Sequence, residues 1–176
     1  MTSEGWAARY PDLAGKVALV AGDHEALVAV VAAFAANGSP VCVVASDRGE
    51  VDASIAAAGH SGVMGVVSAP EDPATWARVL PHAEQRLGPI DIVVVLGDAP
   101  GRDAVRSAAL PDMKARRRGV LVEVADDGGH DDSTGAVRHR RVYVEAATRP
   151  QDVAAVVALC ASDVLAAAVA DIRLRP

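Results

Sequence analysis

The densest group of side chains that could do chemistry lies at residues 126–132, which hold four aspartates and His130. Carboxylates with two glycines between them could wrap a hard cation such as Ca²⁺. The spacing matches no calcium-binding loop, however, and acidic loops are usually solvated, so we predict no metal site. Ser133 and His139 with an aspartate of this stretch could form a hydrolytic triad, but nothing in the sequence indicates that Ser133 stands on a strained turn.

Two further groups follow apolar runs and could hold a nucleotide. Gly22 ends the run at 16–21, and Asp23 comes next as the expected cap of a helix. Asp47 follows a second apolar run, where a carboxylate can accept hydrogen bonds from an adenine ribose. Ser46 fits the same role if the register moves by one residue. An aspartate in a turn is common without any ligand, so the ribose role is a hypothesis.

Composition and charge exclude several functional classes. The formal net charge of −6 argues against nucleic acid or an anionic membrane as a partner. Basic residues cluster at 116–118 and 138–141, but no aromatic residues alternate with them, so we interpret both clusters as solvated loops or helix ends. Cys42 and Cys160 stand in apolar stretches, which indicates buried free thiols in a reducing compartment. The polar leader at 1–12 lacks the apolar region of a signal peptide, so we predict a cytoplasmic protein.

The rest of the chain alternates short apolar runs, typical of buried parallel strands, with helical segments. The predicted strands cover residues 16–21, 41–45, 63–67, 90–96, 119–124, 141–146 and 167–174. The predicted helices cover 23–37, 50–58, 72–88, a segment ending near 117, and 148–160, the last begun by a capping box at 148–151. Gly38 supplies a left-handed stop, and Pro81 is expected to kink or split its helix. The alternation predicts an α/β fold with one Rossmann-like, doubly wound, mostly parallel sheet of about six to seven strands and helices on both faces.

Four segments resemble the short-chain dehydrogenase/reductase family, in the order in which that family has them. LAGKVALVAG at 13–22 resembles the opening strand, and WARVLPHAEQRLGPIDIVVVLG at 76–97 the third helix and fourth strand. AALPDMKARRRGVLVEVA at 108–125 resembles the fourth helix and fifth strand, and RPQDVAAVVALCASD at 149–163 the late helix. The resemblance implies one Rossmann domain over 13–176, whose ordinary ligand is a nicotinamide dinucleotide.

The glycine-rich turn of that family, roughly TGxxxGxG, is degraded in this chain. Gly22 keeps the first glycine, but Ala26 and Val28 stand where the other two would let the backbone approach the pyrophosphate. Asp23 and Glu25 add carboxylates at the N-terminus of the helix, where they stabilise the helix and repel phosphate. The sequence therefore indicates that no cofactor is bound, and that any cofactor would be NAD or NADP.

The end of the fourth strand departs from the family as well. The resemblance implies Asn-Asn-Ala-Gly there, whereas this chain has Val-Leu-Gly-Asp, with Gly97 at the alanine position. The positions that remain as a vestigial cofactor site are Gly22, Asp23, Ser46, Asp47 and Gly97.

The catalytic residues that the resemblance implies are missing. The family protonates its substrate carbonyl with a tyrosine, helped by a lysine four residues later and by a serine, because the developing alkoxide must be neutralised. The two tyrosines and two lysines of this chain are Tyr10, Tyr143, Lys16 and Lys114. They form no Tyr-x-x-x-Lys, and the serine position aligns with Ala125 or Asp126. We therefore predict no catalytic residue.

Two deletions account for the missing residues. The family's long helix with the tyrosine and lysine is replaced by a loop at 126–141, which is long enough for a parallel crossover without a helix. The segment that covers nicotinamide and substrate in the family is lost after the sixth strand. Both losses are expected to expose apolar sheet surface, which invites a protein partner.

The leading hypothesis is a non-catalytic domain that acts as a structural or regulatory subunit. It would pair with a full-length relative, or with copies of itself, through the face left by the missing helix. One alternative is an NAD(P)-dependent oxidoreductase that uses Asp126 or Tyr143 as the acid. Another is a Rossmann-type binder of a different nucleotide, such as S-adenosylmethionine, with Asp47 on the ribose.

Overall fold

The computed structural model describes residues 9–59, 62–125, 138–144, 148–162 and 171–174. The strands are β1 (Val17–Ala21), β2 (Val41–Ala45), β3 (Val63–Val67), β4 (Ile90–Leu96), β5 (Val120–Ala125), β6 (Arg138–Val144) and β7 (Asp171–Leu174). The α-helices are α1 (Leu27–Ala36), α2 (Arg48–Ala57), α3 (Pro73–Leu87), α4 (Ala99–Ala115) and α5 (Pro150–Ala161). A short 3₁₀ turn, Pro11–Leu13, precedes β1.

The seven described strands form one parallel sheet in the order β3-β2-β1-β4-β5-β6-β7. The chain builds the sheet outward from β1 to β3 and then, from β4, in the other direction. Ala21 at the end of β1 therefore pairs with Val44 on one side and Val95 on the other. Ligands of such sheets bind outside the carboxyl ends of the strands where the order reverses. The predicted Rossmann-like fold class is confirmed.

Two layers of helices cover the sheet. Helices α1, α2 and α5 pack on one face, around Phe34, and helices α3 and α4 pack on the other, around Trp76. Strands β1, β2 and β4 are buried at every position because both of their faces are covered, which is why they read as continuous apolar runs. None of the helices in the described ranges is long and apolar enough to cross a membrane.

Several predicted element bounds are confirmed and others are wrong. Strands β2, β3 and β4 begin and end at the predicted residues, and Gly38 has the expected left-handed φ of +79°. Pro81 does not split its helix, since α3 runs through it without interruption. Helix α1 begins at Leu27 and not at residue 23, because the side chain of Asp23 bonds elsewhere.

The last third of the chain differs most from the prediction. Strand β6 begins at Arg138 and not at the predicted residue 141, so residues 138–140 are strand where a loop was predicted, and β5 and β6 are joined by the twelve residues 126–137. The acidic stretch at 126–132 and Ser133 lie outside the described residues, as do residues 1–8 of the leader. The predicted capping box of α5 is wrong, because Arg149 is the N-cap residue and makes no side-chain cap bond.

Candidate functional site

The carboxyl ends of β1, β2 and β4 form the candidate site, and Gly22 lies at its centre. This residue follows β1 with φ +130°, and a Cβ atom there would lie 1.6 Å from the carbonyl oxygen of Leu96. Its N–H donates to the carbonyl of Val44 at 3.0 Å. The turn after β1 thus packs directly against the end of β4. Gly22 is therefore required by the packing of the chain on itself, with or without a ligand.

Asp23 does not cap α1 as predicted. Its Oδ1 accepts a hydrogen bond from the N–H of Ser46 at 2.8 Å, and its Oδ2 accepts one from the Ser46 hydroxyl at 2.5 Å. These bonds tie the end of β1 to the end of β2, its neighbour in the sheet. Two predicted site residues are thus brought together, but each uses the other as its partner.

His24 binds two N–H groups at the start of α1, a role that the sequence did not predict. Its Nδ1 accepts a hydrogen bond from the N–H of Ala26 at 3.0 Å, and its carbonyl accepts one from the N–H of Leu27 at 2.9 Å. The N–H groups at the start of a helix otherwise need water, a cap or an anion. Histidine is not among the usual capping residues, so no sequence signal pointed to it.

Asp47 caps α2 through its Oδ1, which accepts a hydrogen bond from the N–H of Glu50 at 2.9 Å. The predicted ribose role therefore competes with a helix cap. Burial, and then the charges of Asp23 and Asp47, raise the pKa of Glu50, while His24 acts in the opposite direction. The ends of β1 and β2 consequently concentrate carboxylates where the phosphates and ribose of a dinucleotide would approach.

Gly97, the last predicted site residue, follows β4 with φ +119°. A Cβ atom there would lie 3.6 Å from the carbonyl oxygen of Asp23, so the two turns are in contact. The Gly97 carbonyl accepts a hydrogen bond from Nη1 of Arg102 at 2.5 Å, and Arg102 is only 8% exposed. Asp98 caps α4 by accepting from the N–H of Gly101 at 3.1 Å. The polar side chains at the end of β4 are thus also hydrogen-bonded to backbone groups of the protein.

The end of β5, where the resemblance implies a serine, carries an ion pair and an alanine. Glu123 is completely buried, and its Oε1 accepts from Nε and Nη2 of Arg106 at 2.9 and 2.5 Å. Arg106 also pairs with Asp103 at 3.4 Å. Ala125, 2% exposed, ends the strand. The described part of this strand end thus presents no hydroxyl to the candidate site.

Both lysines lie at the amino edge of the sheet, opposite the candidate site. Lys16 directly precedes β1, and Lys114 is exposed in the last turn of α4. Tyr10 lies at the same edge, where its N–H donates to Oδ1 of Asn37 at 2.5 Å. Burial, and the nearby thiol of Cys160, raise the pKa of Tyr10 above its usual value. These three residues cannot form a proton-donating pair at the carboxyl edge.

Tyr143 has a different location. It lies in β6, paired in register with Ala125, so its backbone is at the carboxyl end of β5. Of the two tyrosines, it is the one at the candidate edge.

The two basic clusters are parts of the fold. Arg116 donates from Nη2 to the carbonyl of Ile90 at 2.7 Å, and Nε of Arg118 lies 2.9 Å from Oδ1 of Asp91. The first cluster therefore ties the end of α4 to the start of β4. The second cluster lies within β6, where Arg140 is only 5% exposed. The interpretation of that cluster as a solvated loop is wrong.

The cysteines are buried and free, as predicted. Burial raises the pKa of the Cys42 thiol to about 12. Burial also raises the pKa of Cys160 to about 11, although the charge of Arg140 opposes the shift. Both thiols are therefore protonated near neutral pH and unreactive as nucleophiles. Among the described residues, no group of three or more histidines, cysteines or acids could hold a metal ion.

Val28, at the third glycine position of the family motif, is accommodated by open space. It lines a groove of about 650 Å³ between α1 and α5, together with alanines such as Ala32 and Ala154. Its branched side chain therefore causes no crowding between helix and sheet.

No protein-family model matches the sequence, and no curated protein sequence matches it. Solved structures do match. A short-chain type dehydrogenase/reductase from Mycobacterium marinum superposes with a TM-score of 0.80 at 16% identity, over 94% of this chain and 95% of that one. A short chain dehydrogenase from Mycobacterium smegmatis gives 0.78 at 15% identity, over 95% and 94%. A metagenomic short-chain oxidoreductase in complex with NADP gives 0.76 at 18% identity, over 94% and 99%. The chain thus has the fold of the short-chain dehydrogenase/reductases.

Proposed function

We propose that this chain is a non-catalytic domain with the short-chain dehydrogenase/reductase fold that acts as a structural or regulatory subunit. The observation that carries the proposal is the location of its two lysines. Lys16 and Lys114 both lie at the amino edge of the sheet, on the far side from the ligand-binding edge. Reduction of a carbonyl needs a proton donor of suitable pKa beside the hydride donor. No lysine can lower the pKa of a tyrosine at the carboxyl edge.

The end of β5 supports the same conclusion. Ala125 has no hydroxyl to polarise a carbonyl, and the nearest buried acid on that strand, Glu123, is bound by Arg106. Because Glu123 is completely buried and its Oε1 is bound by Arg106 at 2.9 Å, this side chain is engaged within the fold and is not presented to the candidate site.

The partner surface that we propose is the face of β6 opposite α5. Among the described helices, α5 packs on β6, whereas α3 and α4 pack on β2 and β4. Val142 faces α5, so His139, Arg141 and Tyr143 occupy the alternate positions of the strand. Among the residues whose side chains the structure describes, Val67 is the large apolar one that is strongly exposed, and it lies on edge strand β3, at the other end of the sheet. The residue types at these alternate positions predict a polar and basic partner surface.

Sedimentation velocity tests this proposal. We expect the purified chain to self-associate, or to co-sediment with a full-length short-chain dehydrogenase/reductase of its own organism, and Arg141→Glu to weaken the complex at least about tenfold. Arg48→Glu on exposed α2 is the matched control and is expected to leave the complex intact. A chain that stays monomeric alone and with every such relative would contradict the proposal, as would carbonyl-dependent oxidation of NADH or NADPH by the pure protein.

The second candidate is an oxidoreductase that uses NAD or NADP with a non-standard acid. It is favoured by one observation, the pairing of Tyr143 with Ala125 at the carboxyl end of β5. A rise in melting temperature with NADH or NADPH, together with carbonyl-dependent turnover that Tyr143→Phe abolishes, would establish it.

A further inference from the structure

The cofactor that this fold usually holds can be tested against the residues at the crevice. In a Rossmann fold the pyrophosphate binds to the N–H groups that open the first helix, reached through a close-approaching glycine turn. In this chain the N–H of Ala26 donates to Nδ1 of His24 at 3.0 Å, and the N–H of Leu27 donates to its carbonyl at 2.9 Å. Two N–H groups at the start of α1, those of Ala26 and Leu27, are thus used within the turn.

The adenosine end of the crevice is also filled by internal contacts. Asp23 accepts from both donors of Ser46, and Asp47 accepts from the N–H of Glu50. The carboxylates of Asp23, Asp47 and Glu50 are close enough for their charges to act on one another. A dinucleotide would compete with these bonds for the carboxylates and would bring two phosphate charges beside the acids, which costs free energy.

The turns after β1 and β4 contact each other at the centre of this edge. A Cβ atom on Gly22 would overlap the carbonyl oxygen of Leu96, and one on Gly97 would lie 3.6 Å from that of Asp23. The turns after β1 and β4 are therefore already packed on each other. The N–H groups already used within the first turn and the acids at the strand ends do not fit a nicotinamide dinucleotide.

We infer that His24 and Asp23 act as an internal replacement for the dinucleotide, with His24 in the role of the pyrophosphate at α1 and Asp23 joining the ends of β1 and β2. The inference deepens the proposed function and rests on it only in part, since a non-catalytic chain could still bind a cofactor. It identifies the two side chains that keep the cofactor out.

Calorimetric titration of NAD⁺, NADH, NADP⁺ and NADPH into the folded protein tests the inference. We expect no saturable heat from the natural chain at ligand concentrations up to about 1 mM. The double variant His24→Ala with Asp23→Ala is expected to bind at least one of these dinucleotides, with an affinity at least about tenfold higher than that of the natural chain. The matched control is His82→Ala with Asp52→Ala, which changes the same residue types at exposed positions on α3 and α2 and is expected to leave the flat trace unchanged.

Two outcomes would overturn the inference. One is saturable binding by the natural chain, and the other is a folded double variant that still binds nothing. Circular dichroism shows whether the variant is folded, and His24→Ala alone is titrated under the same criterion if it is not. If the natural chain bound a dinucleotide but reduced no carbonyl, this inference would be overturned and the proposed function would stand. If the chain stayed monomeric with every relative and gave no heat of binding, the proposed function would be overturned and this inference would stand.

Discussion

The amino and carboxyl edges of the sheet are both joined by an aspartate that bonds across neighbouring elements, but only the carboxyl edge is a ligand-binding edge in this fold. At the amino edge, Asp91 lies 2.9 Å from Arg118 and accepts from the N–H of Val17 at 3.4 Å, joining β1, β4 and the loop after α4. At the carboxyl edge, Asp23 joins β1 to β2 by accepting from Ser46. In a Rossmann fold the ligand binds outside the carboxyl ends of the strands, so the carboxyl edge is the one that would hold it.

The comparison indicates how side chains of the protein can take the place of a ligand at the carboxyl edge. The carboxyl edge uses an aspartate and a histidine from a single turn, and both accept hydrogen bonds that a ligand or water would otherwise satisfy. The difference in burial matters for the energies. Asp91 is 8% exposed, whereas Asp23 is exposed, so the contact at the amino edge is the less easily replaced by water.

The largest difference between the edges is expected at their glycines. Gly22→Ala should destabilise the fold by about 4 kcal/mol, because positive φ and overlap with the backbone carbonyl of Leu96 act together. Gly119→Ala at the amino edge has φ +139° but meets chiefly the flexible end of Met113, so about 2 kcal/mol is expected. Urea denaturation measures both. Equal losses would show that the turn after β1 is free to move away from β4.

A smaller difference is expected at the aspartates. Asp91→Ala removes a buried carboxylate that contacts the exposed side chain of Arg118 and the N–H of Val17, and should cost about 2 kcal/mol. Asp23→Ala should cost about 1 kcal/mol because water reaches Ser46. The same denaturation experiment checks the order. If Asp23→Ala lowered the free energy of unfolding more than Asp91→Ala, the Asp23–Ser46 bonds would stabilise the fold more than the exposure of Asp23 indicates.

The smallest effect is a pH dependence confined to the carboxyl edge. The pKa of Glu50 is raised by burial and by the neighbouring carboxylates, so its folded form prefers the proton. Protonated Glu50 therefore stabilises the fold below the ordinary glutamate pKa of about 4.3. This stabilisation is lost as the pH rises through the raised pKa of Glu50 in the folded protein. Relative to the natural chain, Glu50→Gln should gain stability between about pH 4 and neutrality, by about 0.5 kcal/mol. Melting temperatures at several pH values, with Glu71→Gln on the exposed loop before α3 as the control, decide it. A difference that did not change with pH would contradict the raised pKa.

Much of the fold was accessible from the sequence. Strands β2, β3 and β4 were predicted to the residue, because an apolar β-branched run bounded by glycine, proline or aspartate has few other ways to be buried. The prediction was poorest at β6, whose sequence Arg-His-Arg-Arg-Val-Tyr-Val looks polar. The strand is formed because β5 and β7 pair with it on both sides, which no local pattern reports.

The site was predicted by position and not by role. The sequence determined that Gly22, Asp23, Ser46, Asp47 and Gly97 follow strands, that no Tyr-x-x-x-Lys exists, and that both cysteines stand in apolar surroundings. Only the tertiary structure decided that Asp23 bonds Ser46 and that Arg106 reaches Glu123. The physical reason is that strand order selects which distant residues become neighbours, and short-range hydrogen bonds then select among them.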